Sequence, residues 1–224
     1  HHTFTAHFPN FKDDEYSTAE KTNQYYQLNG NQVNISYDDD YITVLKQMIY
    51  HLESGHLSPS IFPLWKVYEA AKKKVTVVLE GQGADELLSG YIVEFAGFFL
   101  LDKLLKGGIQ TFLKNYKVIA KQYSSKAILI SFLRLKLPSF AKKLTRQYVL
   151  KYETVLTGKL KKSEYTFRPL CKADSRLGKI LRQSHQTTLV NLLHYGDAIS
   201  MAFSIESRLP FMDYRLVDFS MTLP

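Results

Sequence analysis

The sequence predicts an α/β protein, a doubly wound parallel sheet with flanking helices, carrying a basic helical insertion. Three observations predict it. From residue 1 to 91, β-prone runs alternate with segments of helical period, the pattern of a sheet built from strand–helix units. The run "VTVVL" (75–79) is apolar on both faces, as a central strand covered by helices should be. Between Ile92 and about Phe167 the strand signals fade, and amphipathic, lysine-rich stretches replace them. The predicted organisation is an α/β domain formed by residues 1–91 and 168–224, interrupted by a helical insertion at 92–167.

Each element has its own local reason. "HTFTAHF" (2–8) alternates and reads as a strand; "DEYSTAEKTNQYYQL" (14–28) reads as a helix ended by Asn29 and Gly30, and "NQVNISY" (31–37) as a short strand. In "DDDYITVLKQMIYHLES" (38–54) three acids precede Tyr41, Val44, Leu45, Met48, Ile49 and Leu52. That spacing is helical, and the acids lie where the helix dipole favours negative charge. "IFPLWKVYEAAKKK" (61–74) is a helix closed by lysines and runs into "VTVVL". In the insertion, "FFLLDKLLKGGIQTFLKNYKVIAKQY" (98–123) is helical with a break at Gly107 and Gly108, and "KAILISFLRLKLPSFAKKLTRQYVLKYETVL" (126–156) is helical with a break before Pro138. The last segment, from Leu177, opens as a helix with Leu181, His185, Leu189, Leu192 and Leu193 on one stripe.

Composition narrows the class. A hydrophobic fraction of 45% in 224 residues is ample for a core. The single Cys171 allows no internal disulfide, which points to a reducing, cytoplasmic setting. Apolar runs such as "FAGFFLL" (95–101) fall far short of the roughly 18 residues that span a bilayer. The net charge of +8 is unevenly spread: Leu101–Arg182 holds 20 Lys or Arg against 4 Asp or Glu, and the rest holds 9 against 17. A solvated helical face is the plain explanation of the basic stretch. An anionic surface fits a basic amphipathic helix as a partner, whereas no nucleic-acid recognition motif is present, so nucleic acid is not expected.

Two strings carry chemistry. In "EGQGADE" (80–86), Gly81 and Gly83 let the backbone turn tightly and approach a ligand, and amides at a following helix start attract phosphate. A carboxylate beside phosphate needs a cation between them, and Mg²⁺ takes one or two carboxylates plus phosphate oxygens. The string therefore suits a nucleotide pyrophosphate with Mg²⁺. It equally suits Asp85 and Glu86 as ordinary helix-start acids. The second string is "GDAISMAFSIESRLPFMD" (196–213), where Glu206 and Arg208 flank Ser207 near a helix end. Such a pair either binds an amino-acid or phosphate substrate or is a structural ion pair. His51 and His56 have poor zinc spacing and no cysteine pair beside them.

"VVLEGQGADELLSGY" followed by "DAISMAFSIESRLPFMDYRLVDF" resembles the synthetase domain of glutamine-dependent asparagine synthetase and the wider asparagine synthase-related family, over about half the chain. The resemblance implies an adenine-nucleotide α-hydrolase-like fold. It implies a ligase that uses ATP and Mg²⁺ to adenylate a carboxylate, aspartate in asparagine synthetase. Ammonia, released from glutamine by a separate N-terminal glutaminase domain, then forms the amide, leaving asparagine, AMP and pyrophosphate. Matched residue by residue, Ala6 falls beside the adenine, Glu80, Gly81 and Gly83 at the nucleotide turn, Asp85 at the Mg²⁺ position, and Gln82, Glu206 and Arg208 at the catalytic, acid-binding end. The family's Ser-Gly-Gly-x-Asp-Ser loop precedes the "HTFT" strand and its catalytic lysine follows the last motif. The chain is accordingly expected to be a piece of a longer protein, inactive as it stands. Gln82 replaces the glutamate common in asparagine synthetase. Two other functions therefore stay open, amidation of a different acid in surface-polymer or natural-product synthesis and an inactive nucleotide-binding scaffold.

Overall fold

The computed structural model describes residues 1–9, 11, 14–37, 41–55, 58–125, 128, 131 and 175–223. They fall into two compact units, residues 1–83 with 188–216, and residues 84–187 with 217–224.

The first unit holds all the described strands. β1 (His2–His7) pairs in parallel with β2 (Asn29–Asn34), Ala6 opposite Val33, and β3 (Val77–Leu79) pairs in parallel with β4 (Glu206–Arg208), Val78 opposite Ser207. The helices are α1 (Tyr16–Tyr25), α2 (Tyr41–Leu52), α3 (Ile61–Ala71) and, returning from far along the chain, α7 (Thr188–Ala202). The predicted periodicity builds the core. Val44, Met48 and Leu52 of α2 recur every four residues and are buried with Ile61, Trp65 and Tyr68 of α3 and with Tyr195 and Ile199 of α7. Trp65 meets Phe203 edge-on at 4.7 Å between ring centres. The exit of β1 is tied down by Asp14, whose carboxylate accepts the Phe8 N–H at 2.9 Å and faces His7 Nδ1 at 2.9 Å.

Three expectations are corrected here. The first helix ends at Tyr25, with the turn made by Gln27 at φ 52°, and Asn29 and Gly30 open β2 instead of closing the helix. Gly30 is small because a Cβ there would lie 2.6 Å from Asn23 Nδ2. β3 is not a strand buried on both faces: Val77 is 42% and Leu79 71% exposed. Among the described residues β1 has only β2 as neighbour and β3 only β4. A cavity of about 630 Å³ is lined by both, with His2 and Phe4 from β1, Val77, Leu79 and Glu80 from the β3 segment, and Tyr68 from α3.

The third correction concerns the last segment. The stripe from Leu181 to Leu193 is not one helix; α6 (Arg176–Gln186) stops at Thr187, which leaves helical geometry at φ −122°, ψ −74°. The Thr187 hydroxyl donates back to the Gln183 carbonyl at 2.8 Å, a local bond of the kind that competes with helix propagation.

In the second unit, α4 (Ala84–Leu88) is followed by α5 (Ile92–Gln122), which kinks at Gly108, φ 70°, where the glycine pair predicted a break. Phe95, Ala96 and Leu100 are buried apolar residues of it, and Gly97 lets residue 131 approach so closely that the Ser131 hydroxyl accepts the Gly97 N–H at 2.7 Å. Asp102 of α5 receives the Leu177 N–H at 3.0 Å, satisfying the start of α6, where Ser175 also caps Gly178 N at 2.9 Å. The helices predicted from 132 to 167, the break before Pro138 and Cys171 lie outside the described residues. Among those described, no helix is long and apolar enough to cross a membrane.

Candidate functional site

The pairing of β3 with β4 brings the two chemical strings side by side. The Glu80 N–H donates to the Arg208 carbonyl at 3.0 Å, so "EGQG" leaves β3 where "ESR" leaves β4. In parallel sheets ligands gather beyond the carboxyl ends of strands, and both strings occupy that edge.

Glu80 is the most constrained side chain there. Its Oε1 accepts the Ser207 hydroxyl at 2.8 Å and also the Tyr68 hydroxyl from α3. Burial pushes its carboxyl above the usual carboxylate range, and the Ser207 bond only partly offsets this. Beyond it Gly81 faces open space, with no heavy atom within 4 Å of where a Cβ would project. Gly83 is favoured as glycine by its backbone, and a side chain there would also have to displace the end of Met212. Gly83 sits at φ 90°, and a Cβ there would come 2.1 Å from Met212 Cε. Gln82 lines a small cavity of about 40 Å³ together with Glu80, Asp197, Gly196 and Ser207.

Glu206 and Arg208 lie on β4, which opens four residues after α7 ends at Ala202; the sequence placed them near a helix end but did not show the strand. Two residues apart on a strand they share a face, and Arg208 Nε donates to Glu206 Oε1 at 2.8 Å with the side chains 61% and 58% exposed. The hydrogen bond to Glu206 raises the already high pKa of Arg208. An exposed pair of this kind contributes about 0–1 kcal/mol, so the guanidinium can be turned to another anion at little cost. Ala6 is half-buried on β1 against the core and lines neither of the two cavities described above.

Asp85 belongs to the second unit. Its carboxylate is exposed and folds over Gly90, where a Cβ would lie 1.9 Å from Asp85 Oδ1. Glu86, by contrast, is 1% exposed and accepts the Tyr91 hydroxyl at 2.9 Å. Of the two adjacent acids, Asp85 is therefore the one free to meet a ligand. No group of three or more His, Cys, Asp or Glu could hold a metal among the described residues. One exposed carboxylate fits Mg²⁺ carried mainly by nucleotide phosphates, and does not fit an all-protein cage.

Sequence reasoning missed Tyr68, Ser207 and Asp197. The first two are hydroxyls whose roles arise from contacts 12 and 127 residues away in the chain, and no spacing reveals those. Asp197 did carry a signal, since it is the lone charge in the apolar stretch "HYGDAISMAFSI" (194–205).

Parallel strands, flanking helices and a glycine turn at the strand ends define an α/β protein. The asparagine synthase family profile matches residues 1–224, and the chain belongs to that family. It is 26% identical over 202 residues to the glutamine-hydrolysing asparagine synthetase 1 of Bacillus subtilis strain 168, which covers 83% of this chain and 31% of that protein. Proteins of Mycobacterium bovis and Mycobacterium tuberculosis, provisionally named as glutamine-hydrolysing asparagine synthetases, are 38% identical over 55 residues, 25% of this chain and 8% of theirs. The chain thus spans about a third of the Bacillus relative's length.

Proposed function

We propose that the chain is the synthetase part of an ATP-dependent amide-forming ligase, which adenylates a carboxylic acid, aspartate first, and passes it ammonia. The observation that carries this reading is the juxtaposition of the open glycine turn at Gly81 with the Glu206–Arg208 pair, at the carboxyl ends of two hydrogen-bonded parallel strands. A nucleotide needs close backbone approach, which Gly81 offers. A carboxylate substrate needs a guanidinium, which Arg208 offers once its exposed pairing to Glu206 opens.

On this reading the acid attacks the α-phosphate of ATP, pyrophosphate leaves, and ammonia displaces AMP from the acyl group. Asp85 would hold Mg²⁺, which supplies charge neutralisation for the phosphates when bound. Ala6 stands beside the adenine, Glu80, Gly81 and Gly83 shape the turn, and Gln82 lies towards the acid. Since the chain matches only part of its Bacillus relative, the longer polypeptide supplies the rest. That includes a glutaminase domain as ammonia source and a further strand, bearing the pyrophosphate loop, in the cavity lined by β1 and β3. A cytoplasmic setting suits the single cysteine and the consumption of ATP. Gln82 favours a second reading, the same chemistry on another acid.

Pyrophosphate release by the full-length protein over a panel of acids, with ATP, Mg²⁺ and glutamine, tests both. Aspartate-dependent release supports the first reading, release with a different acid the second, and no release with any acid overturns the ligase assignment.

A further inference from the structure

We propose that Glu80 is a positioning residue: its carboxylate gathers the Tyr68 and Ser207 hydroxyls and so fixes the path of the Gly81–Gly83 turn, without itself touching a ligand. The inference rests on taking that turn as the ligand-bearing one. Three hydrogen bonds tie Glu80 to two elements, β4 and α3. Its N–H donates to Arg208 O of β4 at 3.0 Å, and its Oε1 accepts Ser207 Oγ of β4 at 2.8 Å and Tyr68 of α3. Immediately beyond it Gly81 faces open space, and Gly83, buried beside Met212, holds φ 90°. Glycines lose the most backbone freedom on ordering, so a turn framed by two of them needs an anchor next to it.

The chemistry of the anchor is also informative. The carboxyl is half-buried and its pKa is raised by desolvation, so retaining it costs stability that an apolar side chain at this place would not. Neither partner is a cation; both are neutral hydroxyls from different elements, an arrangement that aligns α3 with the end of the sheet. A single oxygen receiving two donors from two directions has little latitude to move.

The test uses the full-length polypeptide labelled with ¹⁵N-glycine, and reads the order parameters of Gly81 and Gly83 with no nucleotide present. Wild type should show a rigid turn, near about 0.85, and Glu80→Ala a flexible one, below about 0.6. Tyr68→Phe with Ser207→Ala removes only the two hydroxyls and keeps the volume, so it guards against a Glu80→Ala protein that does not fold. It should loosen the turn in the same way. Glu80→Gln keeps an oxygen that can accept both hydroxyls and should preserve the order. A purely stabilising Glu80 would lower the melting temperature in all variants and leave the order parameters alone, and that result overturns the proposal. So does loss of order in Glu80→Gln equal to that in Glu80→Ala. ATP titration separates the two inferences. A loosened turn with unchanged ATP affinity upholds the positioning role and counts instead against the nucleotide reading of the turn.

Discussion

Asp85 and Gln82 face different demands although only two residues separate them. Asp85 is exposed, its carboxylate has no hydrogen-bond partner among the described residues, and it folds over Gly90 in a niche that an isosteric amide would also fill. Asp85→Asn should therefore leave the melting temperature nearly unchanged. It should lower pyrophosphate release in the full-length enzyme by at least about 10²-fold, or about 2.7 kcal/mol of transition-state stabilisation. Wild-type release from this variant would remove Asp85 from the metal position. Gln82 lines the small cavity with Asp197 and Glu80. A carboxylate introduced there would meet like charges and hold its proton to higher pH, as an acid-base group requires. Gln82→Glu should keep or raise aspartate-dependent pyrophosphate release. A fall with aspartate, when wild type prefers another acid, would instead establish the second reading. Gln82, Gly83 and Asp85 are visible in the sequence because turn chemistry is local. Tyr68 and Ser207 are not, because their meeting at Glu80 depends on how α3 and β4 pack.

Elements were legible where one face repeats at a regular interval, as Val44, Met48 and Leu52 do, and misread where local bonds interrupt the pattern. Thr187 splits the last helical stripe through its own hydroxyl, and the split leaves His185 in the last turn of α6. That histidine has consequences for α4. It bonds to the Glu86 backbone, Nε2 is buried without a hydrogen-bond partner among the described residues, and burial holds its pKa below the ordinary 6.5. An unfolded chain takes up a proton near pH 6.5, the folded unit only at lower pH. The stability linked to His185 is therefore complete above that value and is lost as pH falls from 6.5 towards the folded value. His185→Gln keeps a donor for the Glu86 carbonyl and cannot titrate. Between about pH 7.5 and about pH 5.5 the wild type should lose more melting temperature than the variant. Parallel loss in both proteins would show that the imidazole takes up its proton as readily in the folded as in the unfolded chain, and would overturn the lowered value.

At the scale of the whole molecule, the unmatched features are the apolar edge of β3 and the cavity beside it. A two-stranded parallel sheet is rarely stable on its own, because parallel sheets are normally covered on both faces and extended at their edges. Here two such sheets stand in one unit, and the strands that line the cavity, β1 and β3, each lack a second partner among the described residues. "VTVVL" is apolar on both faces in the sequence, but among the described residues only β4 pairs with it, and Val77 and Leu79 stay exposed. If a further strand of the longer polypeptide fills the cavity, Leu79 changes from 71% exposed to a core residue. Leu79→Ala should then cost about 2–5 kcal/mol in the full-length protein, the range for truncating a buried leucine. In the 224-residue chain alone the same change should stay within about 0.5 kcal/mol, as for an exposed side chain. Denaturant titration of both proteins, with and without the substitution, measures the difference directly. Equal small effects in the two would mean that β3 remains an open edge and that the cavity belongs to something other than a strand.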